Sequence, residues 1–336
     1  MVTHVPRPDF PPRPLWFQIK GIHSVQKYLM EADIVHAHGS GCGIMAMMNP
    51  KPRRPWVVTV HLLWRRTFPL YLLRPITGRT FRDDLVYTFG FPYTECLLRL
   101  EQHVADHVVF VGRHLLRDAR LFYGASIARK SSAIWAPVGE SGFAYSPKPA
   151  RNRFTYAFVG RLYWHKGVGF LLNAFVRLAR LNEGVFLRLY GGLTGGALEG
   201  TIRRRVRELG LEHSVEFRGW MEHEAMLSEI SSEVDVIVHP SLYEACPIAV
   251  LEAMSLGKPI IVSDLAWSDE FIRDEVTGLR SKLDESSLSS QMEKLLKDEE
   301  LRSRLGMNAR TFARSHFHTE VIARQYLDLF DRLSGR

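Results

Sequence analysis

At 336 residues, 46% hydrophobic and 24% charged, the chain has the makeup of an ordinary globular protein of about two domains, which excludes disordered and fibrous classes. Its three cysteines, Cys42, Cys96 and Cys246, form no CxxC pair, which argues against a disulfide framework or a cysteine-built metal cage and for a reducing compartment. The formal net charge of +8 is unevenly placed, with 19 Lys and Arg against 10 Asp and Glu in residues 1–150, and 25 against 26 in the remainder.

No apolar run reaches the ~18 residues of a membrane-spanning helix, and the Pro-rich start has no apolar core of a secretory signal. Residues 22–30 are mildly helical. DIVHAH (33–38) predicts a short strand ending in the Gly-rich turn GSGCG, and WVVTVH (56–61) a second strand. A helix follows over 94–106, a third strand over 107–112, a helix over 113–122 and a fourth strand over 131–137. This alternation predicts a parallel sheet covered by helices. SPKPARN (146–152) reads as a linker, which puts the domain boundary at 148/149. The alternation then restarts, with strands over 154–160, 185–192, 214–219, 234–240 and 258–264, the spacing of a doubly wound sheet. From about Asp284 the chain is helical to an amphipathic last stretch.

Three loops follow predicted strand ends in the second half, where such sheets bind ligands. In VGRLYWHKGVGF, Arg161 and Lys166 flank a loop that enters a helix near Gly167. Two cations beside a helix start suit a diphosphate, although lone surface cations are usually just solvated. In YGGLTGG, Gly191 and Gly192 let a backbone approach a ligand closely, or simply make a turn. In the stretch 234–254, a buried strand leads through a loop to a helix. Pro247 suits its first turn, and Ile248, Val250, Leu251 and Met254 form an apolar stripe. Glu244 and Glu252 bracket that helix start, whose open amides form a natural anion site. Phosphate-binding amides flanked by two acceptor-only groups suit a ligand with both phosphate and hydroxyls, as a nucleotide sugar has.

The spacing Glu244-x7-Glu252, inside HPSLYEACPIAVLEAMSLGKPIIVSD, resembles the E-x7-E signature of retaining family 4 glycosyltransferases. The G-R-x4-K-G pattern around Arg161 and Lys166 resembles that family's diphosphate motif, and TVH ending at His61 resembles its T-x-H. The resemblance implies an α/β chain of GT-B fold, two Rossmann-like domains facing across a cleft. A partial acceptor-side domain would span 1–148, a nucleotide-sugar domain 149–315, and a helix crossing back to the first domain 316–336. It implies transfer of a hexosyl group, such as mannosyl or glucosyl, from a nucleotide-diphosphate sugar to a hydroxyl acceptor, with retention and without metal or other cofactor. It assigns Arg161 and Lys166 to the diphosphate, and Gly191 and Gly192 to the donor's surroundings. Trp220 and the backbone of residues 218–221 would lie beside the nucleobase. Glu252 would take the ribose, Glu244 the transferred sugar, and His61 the cleft near that sugar. Ala245, Cys246, Pro247 and Ile248 would line the donor between the glutamates.

The chain departs from the family pattern in three places. Ala245-Cys246-Pro247 stands where the family has Gly-Phe-Gly, and His165 where it often has Glu. The opening strand with its Gly-Gly loop has no match, so the chain is expected to enter at the third strand, by a late assigned start or a real truncation. Two other readings stay open: a nucleotide-sugar 2-epimerase of the same fold, and a non-catalytic nucleotide-sugar-binding module. Cys246 has no base placed for it and reads as a small structural thiol. His36 and His38 share a strand face, with no third metal ligand spaced to join them. The basic segment 56–82 and its flanks offer Arg53, Arg54, Arg65, Arg66, Arg74, Arg79 and Arg82 beside Trp64, Phe68 and Leu72. That mixture is expected to meet an anionic membrane surface, with a lipid-linked acceptor and a cytoplasmic, peripheral location at the inner membrane face. No nucleic-acid motif accompanies the charge.

Overall fold

The computed structural model describes residues 31–39, 54–63, 65–66, 92, 95–145, 153–192 and 197–335. The expected helix over 22–30, the turn beyond Gly39, the linker over 146–152, Arg53, Trp64, Phe68, Leu72, Arg74, Arg79 and Arg82 lie outside these residues. The described chain divides into two compact units. One holds the residues up to Trp135 and from Ala323 onward, and the other runs from Ala136 to Ile322.

The first unit is built on a parallel sheet of β1 (Val35–His38), β2 (Trp56–Val60), β3 (His107–Phe110) and β4 (Ser131–Ala133), in that order. All five residues of β2 are buried, as befits a strand covered on both faces. Helices cover 95–104, Arg113–Tyr123 and Ala125–Arg129, the last two separated by Gly124 at φ 82°. The closing helix Thr319–Ser334 brings Tyr326 to this sheet, its hydroxyl 3.1 Å from Thr59 Oγ1 and its ring 5.1 Å from that of His36.

The second unit is a six-stranded parallel sheet of β5 (Phe154–Val159), β6 (Val185–Tyr190), β7 (Val215–Gly219), β8 (Val236–His239), β9 (Ile260–Ser263) and β10 (Leu279–Ser281). Their order is β10-β9-β8-β5-β6-β7. The chain winds outward from β5 through β6 and β7, then returns to lay β8 on the other side of β5, Tyr156 against Val236. Five of these strands are expected from apolar runs. The edge strand β10 has three residues, LRS, too few for any periodicity to show. Helix Val168–Leu181 buries Leu171, Leu172, Phe175 and Leu178 at helical spacing against the sheet core around Tyr156, Phe158 and Leu187. Acidic caps start the later helices: Asp284 accepts from Ser287 N at 2.7 Å and Asp298 from Leu301 N at 2.8 Å. The buried Lys258 closes the helix before β8 by donating to Ser231 O at 2.8 Å and Val234 O at 2.7 Å, and burial lowers its pKa to about 8.

Between β5 and β8 the backbones almost touch. Gly167 has φ 74°, and a Cβ there would lie 1.9 Å from the carbonyl oxygen of Pro240. Gly167→Ala should therefore lower stability by about 1–3 kcal/mol. In the next helix turn, a Cβ at Gly169 would meet nothing within 4 Å, so Gly169→Ala should be neutral or stabilising by up to about 1 kcal/mol. Urea unfolding of the two variants checks the contrast.

Candidate active site at the sheet switch point

Open parallel sheets bind ligands where neighbouring strands leave in opposite directions, which here is the gap between β5 and β8. The loop after β8 is tied to its neighbours on both sides. Leu242 N and Ser241 Oγ donate to the His165 carbonyl at 2.8 and 3.2 Å, and Trp267 Nε1 donates to Ser241 O at 3.2 Å. Ser263 Oγ, from β9, donates to the same Ser241 carbonyl.

These ties bring Lys166, His239 and Glu244 together. Lys166 Nζ lies 2.6 Å from Glu244 Oε1, and His239 Nε2 lies 2.6 Å from the same oxygen. Glu244 is only 7% exposed. Burial by itself would raise its pKa, but His239 and Lys166 outweigh that and hold the carboxyl well below the usual carboxylate range. The His239 ring is stacked on Phe158 at 5.8 Å and meets the edge of Trp267 at 6.0 Å. Its buried Nδ1 has no hydrogen-bond partner among the described residues. A buried N–H without an acceptor is costly, so the bond to Glu244 is made by a proton on Nε2. His239 is the site residue that sequence reading missed. It passed as the last residue of a strand, and its one signal was its place five residues before Glu244.

The helix Ile248–Ser255 differs from expectation at its start. Pro247 has no N–H, Ile248 N turns back to Cys246 O at 3.0 Å, and Val250 N and Leu251 N reach Pro247 O. Among the described residues the open first-turn amide is that of Ala249, so the anion site is narrower than a bare helix end. Ile248 is 40% exposed and stands apart from the buried face of Val250, Leu251, Ala253 and Met254, which corrects the predicted stripe. Within the helix, Glu252 Oε1 accepts from His223 Nε2 at 2.8 Å, and that hydrogen bond raises the His223 pKa. Ala245 and Cys246 fill the loop between the glutamates, and burial pushes the Cys246 thiol up to about 12, far from a nucleophile's range.

The remaining predicted donor residues sit at the ends of β5, β6 and β7. Arg161 is exposed, its guanidinium 4.9 Å above the Tyr163 ring, and no carboxylate pairs with it among the described residues. His165 stacks on Tyr163 at 5.7 Å, and burial, with Lys166 beside it, lowers its pKa to about 4. Gly191, at φ 114°, approaches Gly160 so closely that a Cβ would lie 2.2 Å from its carbonyl oxygen, and Gly191 N donates to Gly219 O at 2.7 Å. Gly192 lies beside the backbone of Trp220, whose side chain is 83% exposed. Arg218 is committed elsewhere, gripping Glu229 through two bonds of 2.8 and 2.7 Å.

His61 belongs to the first unit. Its Nε2 lies 3.0 Å from His38 Nδ1, and burial followed by the His38 charge lowers its pKa. His36 Nε2 meets Thr59 Oγ1 at 2.8 Å, and burial, then His38 and His61, lowers its pKa to about 4. Among the described residues no group of three His, Cys, Asp or Glu side chains is arranged to hold a metal.

Removing Lys166 takes away the ammonium that compensates the buried Glu244 carboxylate. Lys166→Ala should therefore cost about 2–4 kcal/mol, and Glu244→Gln in the same chain should return part of it. A double-mutant cycle by urea unfolding should show a coupling of about 1 kcal/mol or more. At the other partner, His239→Gln, which keeps a donor, should be milder than His239→Leu.

Residues 145–312, half of the chain, match the family described as glycosyl transferases group 1. An uncharacterized glycosyltransferase of Methanocaldococcus jannaschii is 30% identical over 191 residues, 54% of this chain and 46% of that protein. The chain thus spans about half the length of the curated relatives it matches. Sucrose-phosphate synthase from Thermosynechococcus elongatus has the same fold, with a TM-score of 0.76 at 22% identity over 98% of this chain and 80% of its own. Anabaena HepE in complex with UDP-glucose superposes with a TM-score of 0.75 at 19% identity, over 94% of this chain and 84% of its own. The two parallel-sheet α/β units are those of the GT-B fold.

Proposed function

The chain belongs to the glycosyl transferases group 1 family, and from that premise we propose that it moves a hexosyl group from a nucleotide-diphosphate sugar to a hydroxyl acceptor, with retention of configuration. The observation that carries this reading is the Lys166–Glu244–His239 cluster at the switch point, with the exposed Arg161, which pairs with no carboxylate among the described residues, on the same loop as Lys166. An ammonium has three donors. With one of them on Glu244, Lys166 keeps two for a phosphate oxygen, while Arg161 offers a planar two-donor fork. Together they would stabilise the charge that develops on the departing diphosphate. The exposed Trp220 indole offers the nucleobase an apolar face beside Gly192. Glu252 takes the ribose hydroxyls by exchanging its His223 partner for them.

Glu244 accepts hydroxyls of the transferred sugar and does not attack it. A carboxylate held by two donors, with its pKa driven down, is a weak nucleophile. That favours attack of the acceptor on the same face the leaving group departs from, without a covalent sugar–enzyme intermediate. The resemblance of TVH to T-x-H assigns His61 to the transferred sugar. The UDP-glucose bound by HepE supports a uridine-based donor.

Lys166→Ala should weaken nucleoside-diphosphate binding about tenfold to a hundredfold by calorimetry, as a lost charge-assisted contact does. Glu252→Gln should raise the donor KM, whereas Glu244→Gln should mainly lower kcat. The opposite split would reverse the two assignments, and proton NMR of the product anomer tests retention.

The His223–Glu252 bond adds a pH dependence. Below its raised pKa, His223 is a cation that competes with the ribose for Glu252. Donor affinity should therefore increase as pH rises through that pKa, and His223→Ala should flatten the profile measured by calorimetry.

A further inference from the structure

Two helices of the first unit sort their charges by depth. Helix 95–104 and helix Arg113–Tyr123 carry the carboxylates Glu95, Glu101 and Asp118, and all three are buried. Their arginines, Arg99, Arg113, Arg117 and Arg120, are all exposed. A solvated surface helix ordinarily mixes both signs on its outer face. Here the acids are drawn beneath a roof of cations. Glu95 Oε1 accepts from Arg65 at 2.8 Å and Arg99 at 3.2 Å, and Asp118 accepts from Arg66 through two bonds of 2.7 and 2.5 Å. The guanidiniums of Arg65 and Arg66 lie 5.6 and 5.5 Å over the Phe122 ring, and that of Arg99 lies 5.6 Å over Tyr123. Next to these rings, Leu121 projects with 73% of its surface exposed, one residue from Arg120 and four from Arg117.

The surface named from the sequence is a different one, and most of it lies outside the described residues. Trp56 and the rest of β2 are core, and of the arginines predicted for docking, Arg65 and Arg66 are engaged with Glu95 and Asp118. We propose that the cationic face around Arg117, Arg120 and Leu121 docks on an anionic lipid bilayer. The guanidiniums would meet lipid phosphates in paired-donor geometry, and Leu121 would enter the headgroup–acyl boundary. An exposed leucine gains nothing from the phosphate backbone of a nucleic acid, which sets the bilayer ahead of the other polyanion. The proposal stands without the glycosyl-transfer reading; if both hold, the acceptor is brought to the enzyme at a membrane surface, as a lipid-linked hydroxyl compound would be.

The test is co-sedimentation of the full chain with phosphatidylcholine vesicles, with and without phosphatidylglycerol. The protein should pellet only with the anionic vesicles and be released by salt, since the attraction decays within a Debye length. Each arginine near the surface is worth about fivefold in partitioning, so Arg117→Gln with Arg120→Gln should weaken it roughly thirtyfold. Leu121→Ser should weaken it further, and all three side chains are exposed, so thermal melts should match wild type. No pelleting with anionic vesicles at low salt, equal pelleting with neutral ones, or full binding by the triple variant would each overturn the proposal. Tighter binding to a DNA or RNA oligonucleotide, lost with the same arginines, would assign the face to nucleic acid instead.

Discussion

A carboxylate enclosed by an ammonium and an imidazole governs the second unit's loops. Glu244 is deep enough that burial alone would favour its neutral form, and it stays ionised because Lys166 and His239 both reach the same oxygen. A buried charge with a missing partner is far worse than no charge at all. The loops after β5 and β8 are therefore constrained together: wherever Lys166 goes, the carbonyl of Pro240 must leave room for Gly167, and the Ser241 carbonyl is pinned from β9 and Trp267.

This arrangement divides the two cations of the loop after β5. Lys166 has its charge compensated within the protein, whereas Arg161 rests on an aromatic ring in solvent. In the proposed reaction they are not equivalent. Arg161 can meet an incoming dianion without breaking anything, while Lys166 must share itself between phosphate and Glu244. Such sharing is a form of preorganisation, since the ammonium is already oriented and partly desolvated before ligand arrives. His239 supports it from behind, its Nε2 hydrogen-bonded to the same carboxylate oxygen.

Much of this was legible in the residues. Runs such as FTYAFV and VIVH are long enough, and flanked clearly enough by glycine and proline, to mark β5 and β8. The pairing of Glu244 with Glu252 and of Arg161 with Lys166 follows from spacing that resembles a known family. What spacing cannot convey is partnership. The resemblance gives the two glutamates different parts of a ligand to hold but not their partners in the fold, where one faces a lysine and a buried imidazole and the other an exposed histidine. His239 gave no periodic signal, because a strand buried on both faces looks the same with or without one polar side chain at its end. The depth-sorted charges of the first unit were hidden for a related reason: a count of charges along the chain registers Glu95 and Asp118 as cancelling two arginines, without showing that the acids lie underneath.

The site's residues meet late. Lys166 and Glu244 are separated by 78 positions, and their contact requires β5 and β8 to be neighbours across β6, β7 and three crossovers. Parallel pairings of such long range come after local helices and adjacent βα units, because the long loop must close before the contact can stabilise anything. In the folding transition state Glu244 is then still hydrated and does not yet depend on Lys166. Substitutions in the cluster should register almost wholly in the unfolding rate. The ion pair thus acts as a kinetic lock on the finished sheet, and sequence drift at its three positions alters how long the native state persists more than how quickly it is reached.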